Sequence, residues 1–176
     1  MNDIELTEVS AEFAEQIREY VSEFPADRMK VVPEDDRIPG LDLLEEYDSV
    51  EEWLEYCKEM SGKIQWFLSV RKSDHKIIGA LVLRHSLEYD DDDPEFCSHI
   101  GYSVRPSERM KGYAKKQLRL GLKKAKEAGL SKVRLICRDI NTGSARTILA
   151  CGGRHIDSIY GEGSGMTIDR YDISLD

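Results

Sequence analysis

The chain has 176 residues, and this length predicts a single domain, residues 1–176, with a hydrophobic core large enough to fold unaided. Its 34 acidic and 25 basic side chains give a net charge of −9 at pH 7, which argues against nucleic acid as the main partner, because phosphate backbones are bound by cationic surfaces. The apolar runs are too short to cross a bilayer, and the acidic first residues do not resemble a signal peptide, so we expect a cytoplasmic protein with no membrane partner. The four cysteines form no C-x-x-C pair, so we expect no metal and no disulfide framework.

The first third of the chain has the pattern of one strand followed by helices. Residues 4–9 alternate well enough to predict a strand, and Ser10 is the predicted N-cap of a helix over residues 11–24. Apolar side chains recur on that helix at helical spacing. Residues 41–60 predict further helix, interrupted near Ser49, which begins a capping box and so predicts a second helix start.

The middle of the chain changes to a β pattern. Residues 65–71 and 76–86 predict two antiparallel strands joined by a hairpin turn at 72–75. Four consecutive aspartates follow at 90–93, and this like-charge run predicts a solvated loop. The alternative is that the loop attracts a cationic amine to a neighbouring site.

The segment that follows predicts a strand, a turn and a long helix in succession. Ile100, Tyr102 and Val104 alternate as in a strand, residues 105–108 form the turn, and the helix that follows ends at Gly129. The first N–H groups of a helix have no internal partner, and the helix dipole is positive at that end. This order therefore predicts a cradle for a phosphate group, with backbone N–H groups as its donors.

The charge along this segment is opposite to that of the whole chain. Between residues 105 and 126 nine basic residues face one acid, a local balance of +8, so the remaining residues carry −17. One basic element in an acidic protein indicates where an anion is held. The alternative is a solvated lysine-rich helix face, and we favour it for the lysines beyond Arg119.

The last 45 residues predict a strand, a short helix and two more strands. Residues 132–137 alternate as a strand, and Asn141 and Ser144 precede a helix that ends near residue 151. Residues 155–160 and 166–174 predict a final pair of strands joined by a glycine-rich turn. The predicted fold class is therefore α/β of the α+β type.

Two motifs in these segments resemble those of a known family. Residues 109–114, Arg-Met-Lys-Gly-Tyr-Ala, fit the Arg/Gln-x-x-Gly-x-Gly/Ala signature of the GNAT superfamily of N-acetyltransferases, and Val-Arg-Pro at 104–106 precedes it as in those proteins. Asn141-x-x-Ser144 resembles the Asn that follows the fifth strand in that family and holds the pantetheine arm of the cofactor. For Asn141, simple helix capping is the alternative role.

The resemblance implies a GNAT-like domain with a central, twisted, mixed and mainly antiparallel sheet flanked by helices. It also implies transfer of an acetyl group from the cosubstrate acetyl-CoA to a primary amine of a small molecule or peptide, by direct attack in a ternary complex. Homodimers are common among such folds. The implied cofactor contacts are Val104, Arg105, Arg109, Met110, Lys111, Gly112, Tyr113, Ala114, Asn141 and Ser144.

The catalytic residues that the resemblance implies are only partly present. Many family members place a Glu on the fourth strand as general base, and here that position holds His99, which titrates near neutral pH. The family's usual Tyr acid corresponds to Ile148, so either Tyr102, Tyr113 or water supplies the proton to the thiolate, or the thiolate leaves without help from the enzyme. The missing Tyr also leaves an alternative function, a non-catalytic module that binds acyl-CoA.

Overall fold

The computed structural model describes residues 3–24, 37–88, 97–161 and 165–175, so the aspartates at 90–93 lie outside the described residues. Its strands are β1 Ile4–Glu8, β2 Ile64–Arg71, β3 Ile77–Arg84, β4 Ile100–Val104, β5 Lys132–Arg138, β6 Arg154–Gly161 and β7 Met166–Ser174. Its helices are α1 Ala14–Ser22, α2 Val50–Met60, α3 Tyr113–Glu127 and α4 Thr142–Ala150. These elements confirm the α/β fold class.

The strands form two antiparallel sheets, ordered β1-β2-β3-β4 and β5-β7-β6. A backbone hydrogen bond links the two sheets just before β4, where His99 N donates to Arg134 O at 2.9 Å. The antiparallel pairing is therefore confirmed. The described strands form no parallel pair, so the mixed part of the prediction is not observed, and the predicted single sheet is divided in two between β4 and β5. This splay exposes one edge of β4, which matters for the site.

Helices cover both faces of the larger sheet. Helices α1 and α2 cover one face, where Tyr20 and Trp53 pack with Trp66, Leu68 and Val82. Helix α3 covers the other face, and α4 packs against α3 and β5. The members of this second core include Phe67, Leu81, Leu118, Leu135, Ile148 and Tyr171. Strands β2 and β3 are buried on both faces, so their sequences are nearly continuous apolar runs.

Three predicted helix starts have different outcomes. Ser49 caps α2 as predicted, because its hydroxyl accepts the N–H of Glu52 at 3.2 Å. Ser10 makes no capping bond and instead donates to the Glu12 carboxylate at 3.2 Å, so the chain first forms a 3₁₀ turn and α1 begins only at Ala14. The predicted helical start at residue 41 is also wrong, since only a 3₁₀ turn, Leu44–Glu46, precedes α2.

The described ranges contain no helix that is long and apolar enough to cross a membrane. Within the same ranges, no group of three or more His, Cys, Asp or Glu side chains is placed to hold a metal ion. The free thiols of Cys57, Cys97 and Cys137 are buried, and burial raises the pKa of the Cys137 thiol. A thiol kept protonated in this way is a poor nucleophile.

Candidate functional site

The loop before α3 has an unusual backbone conformation at two residues. Met110 has φ 62° and Gly112 has φ 83°, and both values are left-handed. A Cβ added to Gly112 would meet no atom within 4 Å, so the glycine is required by the backbone conformation, and the space in front of it is open. We call residues 109–114 the cradle.

The cradle contains a row of backbone N–H groups without acceptors among the described residues, beside this open space. Within the described part of the chain, the N–H groups of residues 110–114 have no acceptor, and the first bond of the helix runs from Lys116 N to Gly112 O at 3.4 Å. Five successive N–H groups at a helix N-terminus attract an anion through hydrogen bonding and through the helix dipole. The geometry therefore supports the predicted phosphate cradle.

The basic side chains of the cradle mainly hold its backbone in place. Arg109 Nε donates to Val104 O at 3.3 Å, and the guanidinium lies 5.7 Å from the centre of the Phe24 ring. Lys111 Nζ turns back to Glu108, at 2.9 Å from its carboxylate. The sequence motifs predict no role for Glu108. It is the only acid between residues 105 and 126, and this contrast in charge is the sequence signal for its role.

Arg105 is bound to β3 and to the end of α1 and is not open to a ligand. It is 3% exposed, its Nε donates to Ile77 O at 2.7 Å, and its Nη1 donates to Glu23 at 2.8 Å. Its backbone N–H donates to Ile78 O at 2.8 Å. The predicted cofactor contact of Arg105 is therefore not supported, since its N–H is bound to β3 and its side chain to β3 and to Glu23 at the end of α1.

The exposed edge of β4 carries further backbone donors. Arg84 N donates to His99 O at 2.7 Å and Arg105 N to Ile78 O at 2.8 Å. These two bonds show which backbone groups along β4 are directed toward β3. Hydrogen-bonded pairs alternate along an antiparallel ladder, so the N–H groups of Tyr102 and Val104 point away from β3 and into the splay. These donors can polarise a carbonyl placed between β4 and β5.

Tyr102 reaches across the splay to α4. Its hydroxyl lies 3.2 Å from Ser144 Oγ, in the first turn of that helix. Burial raises the pKa of Tyr102 to about 12, so the phenol stays protonated at neutral pH. The structure thus brings these two predicted site residues together. Tyr113 instead packs in a small core with Val104 and Ile78.

Asn141 caps α4 and borders the same splay. Its Oδ1 accepts the N–H of Ser144 at 3.1 Å, so the capping alternative is observed. The amide nitrogen has no acceptor within the described residues, which leaves a donor for a ligand. Ile148, at the position where the resemblance leads us to expect a Tyr, is fully buried in the second core.

His99 connects the two sheets through both its backbone and its ring. Its Nδ1 accepts the N–H of Arg134 at 2.9 Å, so in the neutral ring the proton is on Nε2. Burial lowers the pKa of His99 from 6.5, and the positive charge of Arg134 lowers it further. The groups that face the ring also include Asp172, Lys132 and Arg84. This arrangement favours a structural role over the predicted role as a base.

Protonation of His99 should weaken the joint between the sheets. Because its pKa is lowered in the folded state, its contribution to the free energy of unfolding is complete above 6.5 and is lost as the pH falls through the lowered value. His99→Asn retains an acceptor for Arg134 N–H but does not titrate. Urea denaturation between pH 7.5 and 5 should therefore show a smaller pH slope for the variant than for the wild type, and equal slopes would contradict this role.

The sequence matches the family model described as Acetyltransferase (GNAT) domain over residues 9–154. No curated protein matches it. Similar solved structures include spermidine N-acetyltransferase from Vibrio cholerae in complex with CoA and spermine, with 15% identity and a TM-score of 0.72, covering 99% of this chain and 97% of that one.

Two other solved structures share the same fold. Ribosomal-protein-S5-alanine acetyltransferase from Vibrio fischeri has 18% identity and a TM-score of 0.71, and the match covers 100% of this chain and 95% of that one. A GNAT family acetyltransferase from Bacillus anthracis has 21% identity and a TM-score of 0.67, with 98% and 95% covered. At these identities the structural likeness shows the fold alone.

Proposed function

The chain belongs to the GNAT acetyltransferase family, and from this premise we propose that it transfers the acetyl group of acetyl-CoA to a primary amine by direct attack in a ternary complex. The observation that carries the proposal is the row of five N–H groups at residues 110–114, next to the open edge of β4. A pyrophosphate fits these donors, and an acyl thioester fits the splay beside them.

The residues present fit the cofactor from its phosphates to its thioester. The N–H groups of residues 110–114 would hold the pyrophosphate, with Arg109 adding positive charge. The free amide nitrogen of Asn141 would donate to a carbonyl of the pantetheine arm. The cosubstrate supplies an activated acyl group. The protein therefore has to bind and orient the cosubstrate and the amine and to move protons.

The exposed donors of β4 and the Tyr102 hydroxyl would then act at the two ends of the breaking bond. The N–H of Val104 would stabilise negative charge on the carbonyl oxygen while the amine nitrogen forms the new C–N bond. As the C–S bond breaks, the Tyr102 hydroxyl, which Ser144 holds in place, would donate its proton to the sulfur, and the phenolate would then regain a proton from solvent.

The base in this scheme would be solvent water, which takes the proton of the amine. His99 would have to release Arg134 N–H before its Nδ1 accepted a proton, and we therefore propose no direct role for it in the transfer. The His99→Asn variant also tests this assignment: its turnover should stay within about threefold of the wild type near pH 8, whereas loss of a general base costs roughly 10²-fold or more.

One observation favours a second function, a module that binds acyl-CoA without catalysis. The position expected to hold the Tyr acid is filled by the buried Ile148. This alternative predicts binding of acetyl-CoA without release of free thiol in the presence of any amine. The presence of Tyr102 within 3.2 Å of Ser144 leads us to prefer the enzyme.

The test of the proposal is an assay for free thiol release from acetyl-CoA with a panel of amines. The similar structures include a spermidine and a ribosomal-protein-alanine acetyltransferase, so the panel contains spermidine, spermine and peptides with N-terminal alanine. Amine-dependent thiol release, with a matching mass increase of the acceptor, is the expected result. Cofactor binding without release for every amine would support the binding module instead.

A further inference from the structure

A cluster of charges around a buried carboxylate lies beside the cradle, and that carboxylate has no role in the scheme above. The Glu108 side chain is only 7% exposed, and its carboxylate accepts from Arg71 Nη1 at 3.1 Å and from Lys111 Nζ at 2.9 Å. Lys76 Nζ lies 3.6 Å from its other oxygen. Three cations thus surround one buried anion, as the cost of removing a carboxylate from water requires. We call these four residues the Glu108 cluster.

The Glu108 cluster fastens the cradle to the β2–β3 hairpin. Arg71 is the last residue of β2, and Lys76 directly precedes β3. Arg71 is itself held by two bonds to Asp74 in the hairpin turn, at 2.9 and 2.6 Å. Lys111 belongs to the cradle. The cluster therefore joins the loop before α3 to a strand pair whose backbone is fixed by hydrogen bonds.

The bridge from Glu108 to Lys111 spans Met110, which has a strained backbone. A left-handed conformation is unfavourable for a residue with a Cβ, and it persists only where neighbours hold it. The Met110 side chain is fully exposed, so its own packing does not supply that hold. Lys111 Nζ also donates to Ser107 O at 3.1 Å, which closes the turn around Met110.

We propose that Glu108 is a positioning residue, which holds Met110 in its left-handed conformation and so directs the N–H groups of residues 110–114 toward the phosphates of the cofactor. This inference rests on the proposed function for the identity of the ligand. Glu108 would not touch the cofactor, because its carboxylate would repel a phosphate and is already enclosed by cations. It acts through the shape of the cradle.

The first test is a double-mutant cycle with calorimetric titration of CoA. Glu108→Gln should raise the Kd for CoA about tenfold, because the bridge across Met110 is weakened. Met110→Gly relieves the left-handed strain, so in the Glu108→Gln background it should recover most of the lost affinity. Wild-type affinity in Glu108→Gln would overturn the proposal. Additive effects of the two substitutions on the free energy of CoA binding would also overturn it.

The second test needs no ligand and keeps a folded protein. Lys111→Met breaks the bridge across Met110 but leaves Glu108 with Arg71 and Lys76. The ¹⁵N order parameters of residues 109–112 should fall from near 0.85 to below about 0.6 in Lys111→Met and in Glu108→Gln. Glu127→Gln is the matched control, since it removes an acid paired with Lys123 and Lys124 elsewhere on α3.

The two tests separate a failure of the inference from a failure of the proposed function. If the wild type binds no CoA, the proposed function fails, and the order parameters still decide the role of Glu108. If residues 109–112 keep their wild-type order parameters in both variants, the role of Glu108 is contradicted whether or not CoA binds.

Discussion

Replacing Gly112 with glutamate is expected to abolish measurable binding of acetyl-CoA while the protein remains folded. The new side chain would project into the open space in front of the cradle, and its carboxylate would occupy the N–H groups and repel the pyrophosphate. Loss of two charge-assisted hydrogen bonds, at roughly 1.5–3 kcal/mol each, corresponds to at least about a 100-fold rise in Kd. Calorimetric titration with acetyl-CoA measures this change directly.

Gly129 provides a matched control at the other end of the same helix. It too is left-handed, with φ 89°, and a Cβ there would meet no atom within 4 Å. Gly129→Glu therefore introduces the same charge and the same backbone strain but lies away from the cradle. It should keep wild-type affinity for acetyl-CoA. Equal affinity of wild type and Gly112→Glu would exclude the cradle as the phosphate site.

Tyr102→Phe should lower kcat by about 10²-fold or more, in the range of general acid catalysis, with little change in the KM for acetyl-CoA. Phenylalanine retains the ring that packs in the second core and removes only the hydroxyl near Ser144. Because the pKa of Tyr102 is raised to about 12, its proton should not limit kcat on the basic side below about pH 10.

Tyr171→Phe is the control for this substitution. Tyr171 is also a buried tyrosine of the second core, with a pKa raised to about 12, but its hydroxyl points to Asp169 at 3.5 Å. Loss of that hydroxyl should leave kcat within about threefold of the wild type. A Tyr102→Phe enzyme with the kcat of the Tyr171→Phe enzyme would remove Tyr102 from the mechanism and leave water as the proton donor.

The strands and helices were predictable because local pattern and tertiary burial agree along most of the chain. The alternation of Val133, Leu135 and Cys137 identified β5, and all three side chains are buried. Gly129 identified the end of α3 because only a left-handed residue suits that position. The cradle followed from the order of strand, turn and helix, which places unpaired N–H groups at a known point.

The orientation of individual side chains was not predictable, because it depends on contacts distant in sequence. The place of Arg105 in a motif predicts a cofactor contact, but its partner Glu23 directly follows α1, far away in the sequence. His99 has the residue type of a general base, but its Nδ1 accepts the N–H of Arg134, which is 35 residues away in the sequence. The left-handed backbone of Met110 has no sequence signal, because glycine and asparagine are the residues that indicate this conformation in a sequence.

The most direct measurement of the central claim is a ¹H–¹⁵N spectrum of the wild-type protein with and without CoA. Bound phosphates would become hydrogen-bond acceptors for the N–H groups of residues 110–114, so these five amides should show large shifts, together with Val104 in the splay. If CoA binds but these amides keep their positions while others shift, the cofactor lies elsewhere and the assignment of the cradle is wrong.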